Sequence, residues 1–154
     1  MDGIERRLAG HAIAGLDSSI WIYHFEANER YALLAADILR RVQAGRPSGI
    51  ISVVTLLELT VQPYRLGKPE IATHYEALLS HFPNLTIVST NRTIARRAAE
   101  LRAVYGLRTA DAILIATALV SGATVWITND RALQRLKGVI DVVLLDEFVD
   151  EIQT

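Results

Sequence analysis

Short β-rich runs alternate with helical stretches along nearly the whole chain. Residues 11–16, 49–54, 85–89, 125–128 and 142–145 read as strands. Helices are expected over 18–26, 31–44, 55–65, 91–105, 109–121 and 131–136, and another from Pro69. The second of these repeats its apolar residues at helical period, through Tyr31, Leu34, Ala35, Ile38 and Val42, before Gly45 and Pro47 stop it. Pro63 is expected to interrupt or end the third. Pro69 suits a first helical turn, and Ile71, Tyr75, Leu78 and Phe82 supply the face of the helix it opens. Residues 109–121 are apolar nearly all round, which predicts a buried helix. Strands that alternate with helices predict an α/β domain with a mostly parallel central sheet. In such a sheet a site lies outside the carboxyl ends of the strands. The order of the strands is not readable from the sequence.

A chain of 154 residues is one domain, long enough to bury a core without covalent staples. Cysteine is absent, which excludes disulfides and thiolate metal sites. The longest apolar stretch, 112–120, is too short to span a bilayer. The first ten residues carry acids and no long apolar core, unlike a signal peptide. A soluble cytoplasmic protein is expected.

Four acids sit where apolar runs stop or start. Asp17 closes AIAGLD, Glu58 lies inside VVTLLEL, Asp111 opens DAILIATALV and Asp130 follows VWITN. A carboxylate beside apolar side chains is costly unless it is hydrogen-bonded, paired or coordinated. Each acid has a purely structural explanation. Asp17 and Asp130 suit helix N-caps. Thr55 and Glu58 have capping-box spacing. Asp111 complements a helix dipole. Taken singly, these explanations outweigh a catalytic one. Taken together, strand ends and helix starts in a parallel sheet point to one edge. Four carboxylates there repel each other, and some would hold protons unless a cation neutralised them. Oxygen ligands without Cys or a His cluster favour Mg²⁺ or Mn²⁺. Acids around such ions are a known device for phosphodiester hydrolysis.

Other chemistries lack their motifs. The chain has no GxxxxGK[ST] loop, no GxGxxG and no GxSxG. Its four histidines show no metal-ligand spacing. The net charge of −1 hides a basic stretch. Arg92, Arg96, Arg97, Arg102 and Arg108 face one acid, Glu100, between residues 91 and 108. Guanidinium groups suit phosphate, so Arg92, Arg96, Arg97 and Arg108 are candidate RNA contacts. The charge pattern by itself favours a solvated helix face.

The blocks LDSSIWIYHFE, VVTLLELTVQP, LRTADAILIATAL and WITND, in this order, resemble the four acidic blocks of PIN-domain ribonucleases. Length and layout are similar to the VapC-type toxins of toxin–antitoxin pairs. The resemblance implies a three-layer α/β/α domain and Mg²⁺- or Mn²⁺-dependent endonucleolytic cleavage of RNA, in many relatives tRNA or ribosomal RNA. It implies Asp17 and Asp111 as principal metal ligands. Glu58 and Asp130 would complete the shell and help place the attacking water. Ser18, Thr128 and Asn129 fall at polar positions beside the site. The chain departs from the family at Ser19, where Asn is common. It also departs in residues 1–10, an extension ahead of the first strand. Residues 146–154 form an acidic tail. The expected partners are RNA, a cognate antitoxin and a second copy of the chain, in a homodimer or toxin–antitoxin hetero-oligomer, with no membrane. The segment from Trp21 to Phe25 is apolar on more than one helical face, so its surplus face is a candidate partner surface, with Tyr64 and Leu66 as weaker ones.

Two other readings compete. One is a non-catalytic RNA- or protein-binding module, in which the acids only cap helices. The other is an aspartyl-phosphate phosphotransfer or phosphatase domain with Asp17 as nucleophile. A haloacid-dehalogenase-like phosphatase would want DxD, and Ser19 stands at its third position. A receiver domain would want a lysine after a late strand, and only Lys68 and Lys137 exist.

Overall fold

A computed structural model describes residues 2–152. Its strands are β1 (Ile13–Leu16), β2 (Ser48–Ser52), β3 (Leu85–Val88), β4 (Val125–Thr128) and β5 (Asp141–Leu144). They form one sheet in the order β3-β2-β1-β4-β5, with every pairing parallel. The helices are α1 (Gly3–Leu8), α2 (Ser18–Phe25), α3 (Ala32–Gln43), α4 (Val53–Arg65), α5 (Pro69–Ser80), α6 (Arg92–Tyr105), α7 (Thr109–Val120) and α8 (Val149–Ile152). Two 3₁₀ turns, Arg131–Leu136 and Leu145–Glu147, complete the described elements. Among the described residues, no helix is long and apolar enough to cross a membrane.

The pleat of each strand sorts its side chains between two cores. On β4, Val125 and Ile127 join the core under α2 and α3, while Trp126 joins the core under α6 and α7. On β5, Val143 enters the first core and Val142 and Leu144 the second. Helices therefore cover both faces, giving the three layers expected of parallel strands. Helix α7 packs on α6, α4, β1 and β2, which explains its nearly continuous apolar sequence.

Most element boundaries shift by a residue or two from expectation, and two local features of α4 have a clear physical cause. The strand expected over 49–54 ends at Ser52, because the Ser52 hydroxyl accepts the Val54 N–H at 3.0 Å and opens α4. A side-chain cap here outweighs the β preference of Val53 and Val54. Pro63 does not stop α4, which runs on to Arg65. Pro63 lies in the last turn and is buried, so packing offsets the backbone bond it cannot make.

The described residues of the N-terminal extension, 2–10, are part of the fold. Asp2 caps α1 by accepting the Glu5 N–H at 2.7 Å, and Ile4 and Leu8 enter the first core. Arg7 grips the Asp141 carboxylate at the start of β5 with both Nη groups, at 2.5 and 2.6 Å. His11 adds Nε2 to the same carboxylate at 3.0 Å and Nδ1 to the Thr124 hydroxyl at 2.8 Å. In the acidic tail, Phe148 and Val149 are buried and Asp146 is tied to Tyr31; residues 153–154 lie outside the described residues.

The Arg7 guanidinium holds the Asp141 carboxyl below its ordinary value of 3.8, helped by His11. A depressed folded value means that this stabilisation is fully present above 3.8 and lost as pH falls through the folded value. Arg7→Ala should therefore cost about 1 kcal/mol at pH 7. The difference from wild type should shrink in acid, as urea denaturation at the two pH values will read. A gap that persisted unchanged below the folded value would remove Asp141 as its source.

Candidate active site

The connections from β1 and β4 leave the sheet at its centre, where these two strands are neighbours but their chain continues to opposite sides. Such a switch point opens a crevice at the carboxyl ends of the strands. Asp17 follows β1 directly, and Asp130 stands two residues beyond Thr128, the end of β4. Glu58 reaches the same crevice from α4, and Asp111 from the first turn of α7. All four acids line one cleft of about 290 Å³, together with Ser18, Ser19, Ile22, Tyr23, Arg108 and Asn129.

Each acid is held by one oxygen or more. The buried Thr128 hydroxyl donates to Asp17 Oδ2 at 2.5 Å, and accepts the Asp130 N–H at 3.1 Å. Thr128 thereby couples the acids that follow β1 and β4. Asp17 Oδ1 also accepts the Ser19 N–H at 3.5 Å, a long N-cap contact. The Ser18 hydroxyl donates to Glu58 Oε1 at 2.7 Å. Arg108 Nε donates to Asp111 Oδ2 at 2.8 Å. Asp130 Oδ1 accepts the Ala132 N–H at 3.0 Å and caps the 3₁₀ turn. Asn129 accepts the Asp146 N–H at 3.0 Å and donates to the Tyr23 hydroxyl at 3.4 Å, fixing the loop between Thr128 and Asp130.

The capping-box explanation of Glu58 does not hold. Ser52 is the N-cap of α4, Thr55 lies inside the helix with a buried, unpartnered hydroxyl, and Glu58 faces Ser18 instead. Asp17 and Asp130 do cap helices, so for them capping and site membership coexist.

Burial pushes the Asp17 carboxyl above the usual carboxylate range. The hydrogen bonds from Thr128 and Ser19 oppose that shift, and the charges of Asp111 and Glu58 add to it. Arg108 is shifted up, chiefly by its bond to Asp111, with the charges of Asp130 and Glu58 contributing. The cleft is thus one electrostatic unit.

Among the described residues, no three Asp, Glu, His or Cys side chains stand together as the ligands of one ion. The donor set nevertheless suits Mg²⁺, which usually takes one or two carboxylates and keeps several waters. Glu58, Asp111 and Asp130 each keep a carboxylate oxygen outside the hydrogen bonds described above.

Of the other expected residues, Arg108 lines the cleft and Arg92, Arg96 and Arg97 do not. Arg92 and Arg96 are exposed on α6, and Arg97 pairs with Glu100 at 3.1 Å. Trp21 is core. Ile22 and Phe25 line an apolar groove with Leu59, Pro63, Leu66, Ile71 and Tyr75, and Tyr64 lies outside it. Ile22 belongs to both groove and cleft, so the two adjoin. The sequence signal for the Arg108–Asp111 pair is its i,i+3 spacing at a helix start.

The family model for the PIN domain matches residues 15–139. No curated protein sequence matches the chain significantly. Among solved structures, a toxin–antitoxin complex from Klebsiella pneumoniae is similar at 26% identity, covering 87% of this chain and 97% of that one, with a TM-score of 0.64. VapBC2 from Rickettsia felis, bound to a DNA fragment from its promoter, matches at 17% identity over 86% and 98%, with a TM-score of 0.67. DNA-bound VapBC from Salmonella typhimurium matches at 19% identity over 86% and 97%, with a TM-score of 0.65. The last two likenesses speak to the fold alone.

Proposed function

The chain belongs to the PIN-domain family, and from that membership and its cleft we propose that it is a metal-dependent endoribonuclease, the toxin of a toxin–antitoxin pair. The observation that carries this reading is the meeting of four carboxylates from four elements at the β1–β4 switch point. Asp17 and Asp111 would hold a Mg²⁺ or Mn²⁺ ion, with Glu58 and Asp130 completing its shell directly or through water. When bound, the ion lowers the pKa of a coordinated water and neutralises charge on the phosphate.

The chain's own residues set the geometry. Thr128 orients Asp17 and Ser18 orients Glu58 through hydroxyl hydrogen bonds. Both hydroxyl residues are buried, so their donors are fixed before substrate arrives. Glu58 and Asp130 place the water that attacks phosphorus. As its oxygen bonds to phosphorus the water gives up a proton, the P–O bond to the leaving strand breaks, and the leaving oxygen takes up a proton, so that one water is consumed overall. tRNA or ribosomal RNA is the proposed substrate class, bound by Arg108 at the cleft and by Arg92, Arg96 and Arg97 on α6.

The same reading supplies an antitoxin. The apolar groove between α2, α4 and α5 adjoins the cleft at Ile22 and suits an apolar peptide segment that continues toward the acids. Similarity to the Klebsiella pneumoniae complex supports such a partner.

One set of observations favours a second reading. Asp17 and Asp130 cap helices, and Asp111 is already ion-paired, which gives three of the acids a structural task that a non-catalytic binding module would use. A single experiment separates the two. Purified wild-type protein should cleave cellular RNA with Mg²⁺ or Mn²⁺ and stop when EDTA is added. Asp111→Asn should be inactive while keeping a wild-type circular dichroism spectrum. Equal cleavage by Asp111→Asn and wild type would remove the cleft from the mechanism.

A further inference from the structure

Arg108 is the only cation among the described residues lining the cleft, and it sits on the acid the proposed reaction needs most. It is the N-cap residue of α7, with extended backbone and no side-chain cap bond of its own. Its side chain turns back to place Nε on Asp111 Oδ2 at 2.8 Å. Asp111 is largely covered, at 14% side-chain exposure, whereas Arg108 is 81% exposed. Neither Nη group of Arg108 bonds to a described protein atom. The pair is therefore asymmetric: a fixed carboxylate and a loosely held guanidinium. An exposed ion pair of this kind contributes little to stability and breaks readily.

From this geometry we propose that Arg108 is a built-in counter-ion for the acid cleft, exchanging between two partners. In the free protein its guanidinium covers Asp111. When a divalent cation takes Asp111, Arg108 is released and moves onto a phosphate of the bound RNA strand. The inference rests on the nuclease reading above and adds to it a competition between Arg108 and the cation. The charges of Asp130 and Glu58 also act on Arg108, so its place at the cleft answers to the whole acid cluster. No other described residue lining the cleft carries a positive charge. A guanidinium leaving a carboxylate for a phosphate keeps the same planar, forked donor pattern, which suits both. Arg108 acts on substrate position and is not assigned a proton transfer.

The competition predicts opposite effects on two ligands. Removing the guanidinium should tighten the cation and loosen the RNA. Arg108→Gln should bind Mn²⁺ about threefold tighter than wild type by isothermal titration calorimetry without RNA, the scale of an exposed ion pair. The same variant should raise KM for RNA at saturating Mn²⁺ by about tenfold, the scale of a lost charged hydrogen bond, with a smaller change in kcat. Arg108→Lys should restore most of the KM. A merely structural role for Arg108 would instead weaken both ligands together. Unchanged or weaker Mn²⁺ binding by Arg108→Gln, beside a wild type that binds Mn²⁺ and cleaves RNA, would overturn the counter-ion proposal and leave the nuclease reading standing. Mn²⁺ binding by neither protein would overturn both.

Discussion

Asp17→Asn is expected to abolish RNA cleavage and, in the same protein, to raise the melting temperature without divalent cations. The first effect follows from losing a proposed principal ligand of the ion. Lewis-acid and water activation by a metal are worth several kcal/mol, so activity should fall on the order of a thousandfold. The second effect follows from the sign of the Asp17 shift. Burial lifts its folded value above the ordinary 3.8. The folded state therefore holds this proton more tightly than the unfolded one. The penalty for burying the charge is absent below 3.8, grows as pH rises, and is fully present above the folded value. At neutral pH asparagine relieves it: its single amide oxygen can still accept the Thr128 hydroxyl, at the cost of the long Ser19 N–H contact. The melting temperature should rise by about 2–4 °C for each kcal/mol relieved. Thermal unfolding in EDTA, followed by addition of Mn²⁺, reads both states. Wild type should gain stability from Mn²⁺ by mass action, and the variant should gain far less. A lower melting temperature in EDTA, with cleavage intact, would mean that Asp17 matters only as the cap of α2.

The largest effect on folding is expected at Gly15. A Cβ there would stand 2.6 Å from the Cβ of Ala118 and 2.6 Å from the Trp126 ring. Gly15 pairs with Trp126 across β1 and β4, and atoms of the indole ring occupy the space that a Cβ would need. Neither neighbour is the free end of a flexible chain. Ala118 is buried in α7, and Trp126 is 2% exposed. Gly15→Ala should cost about 3 kcal/mol by overpacking, a large share of the roughly 5–15 kcal/mol that stabilises a typical domain. The melting temperature should drop by about 10 °C. Cleavage by the remaining folded protein should fall as well. Relief of the clash must push β1 from α7, and those elements carry Asp17 and Asp111. A melting temperature within 2 °C of wild type would show that the sheet and α7 yield more easily than close packing allows.

The elements themselves were largely legible, because period and capping act locally. The bounds of β4 and of the 3₁₀ turn at Arg131–Leu136 agree with the sequence reading residue for residue. The misses have specific causes. Ser52 ended β2 early because its hydroxyl competed successfully with the β preference of two valines. Residues 1–10 read as an appendage because one turn of apolar spacing, Ile4 and Leu8, is too short to signal a core helix. Arg7 gives no hint of its partner, which lies 134 residues away.

By itself, the sequence determined the α/β alternation, the four acids as a candidate set and the family they resemble. Those properties reside in local periodicity and in ordered motifs, which need no knowledge of distant neighbours. Only the tertiary structure decided the strand order, and with it the switch point that brings Asp17 and Asp130 side by side through Thr128. It also removed the capping-box reading of Glu58, which spacing allowed, by making Ser52 the N-cap of α4 and pairing Glu58 with Ser18 across the cleft. Hydrogen bonds and charges act through space, and sequence separation carries no record of which side chains the fold will bring within 3 Å of each other.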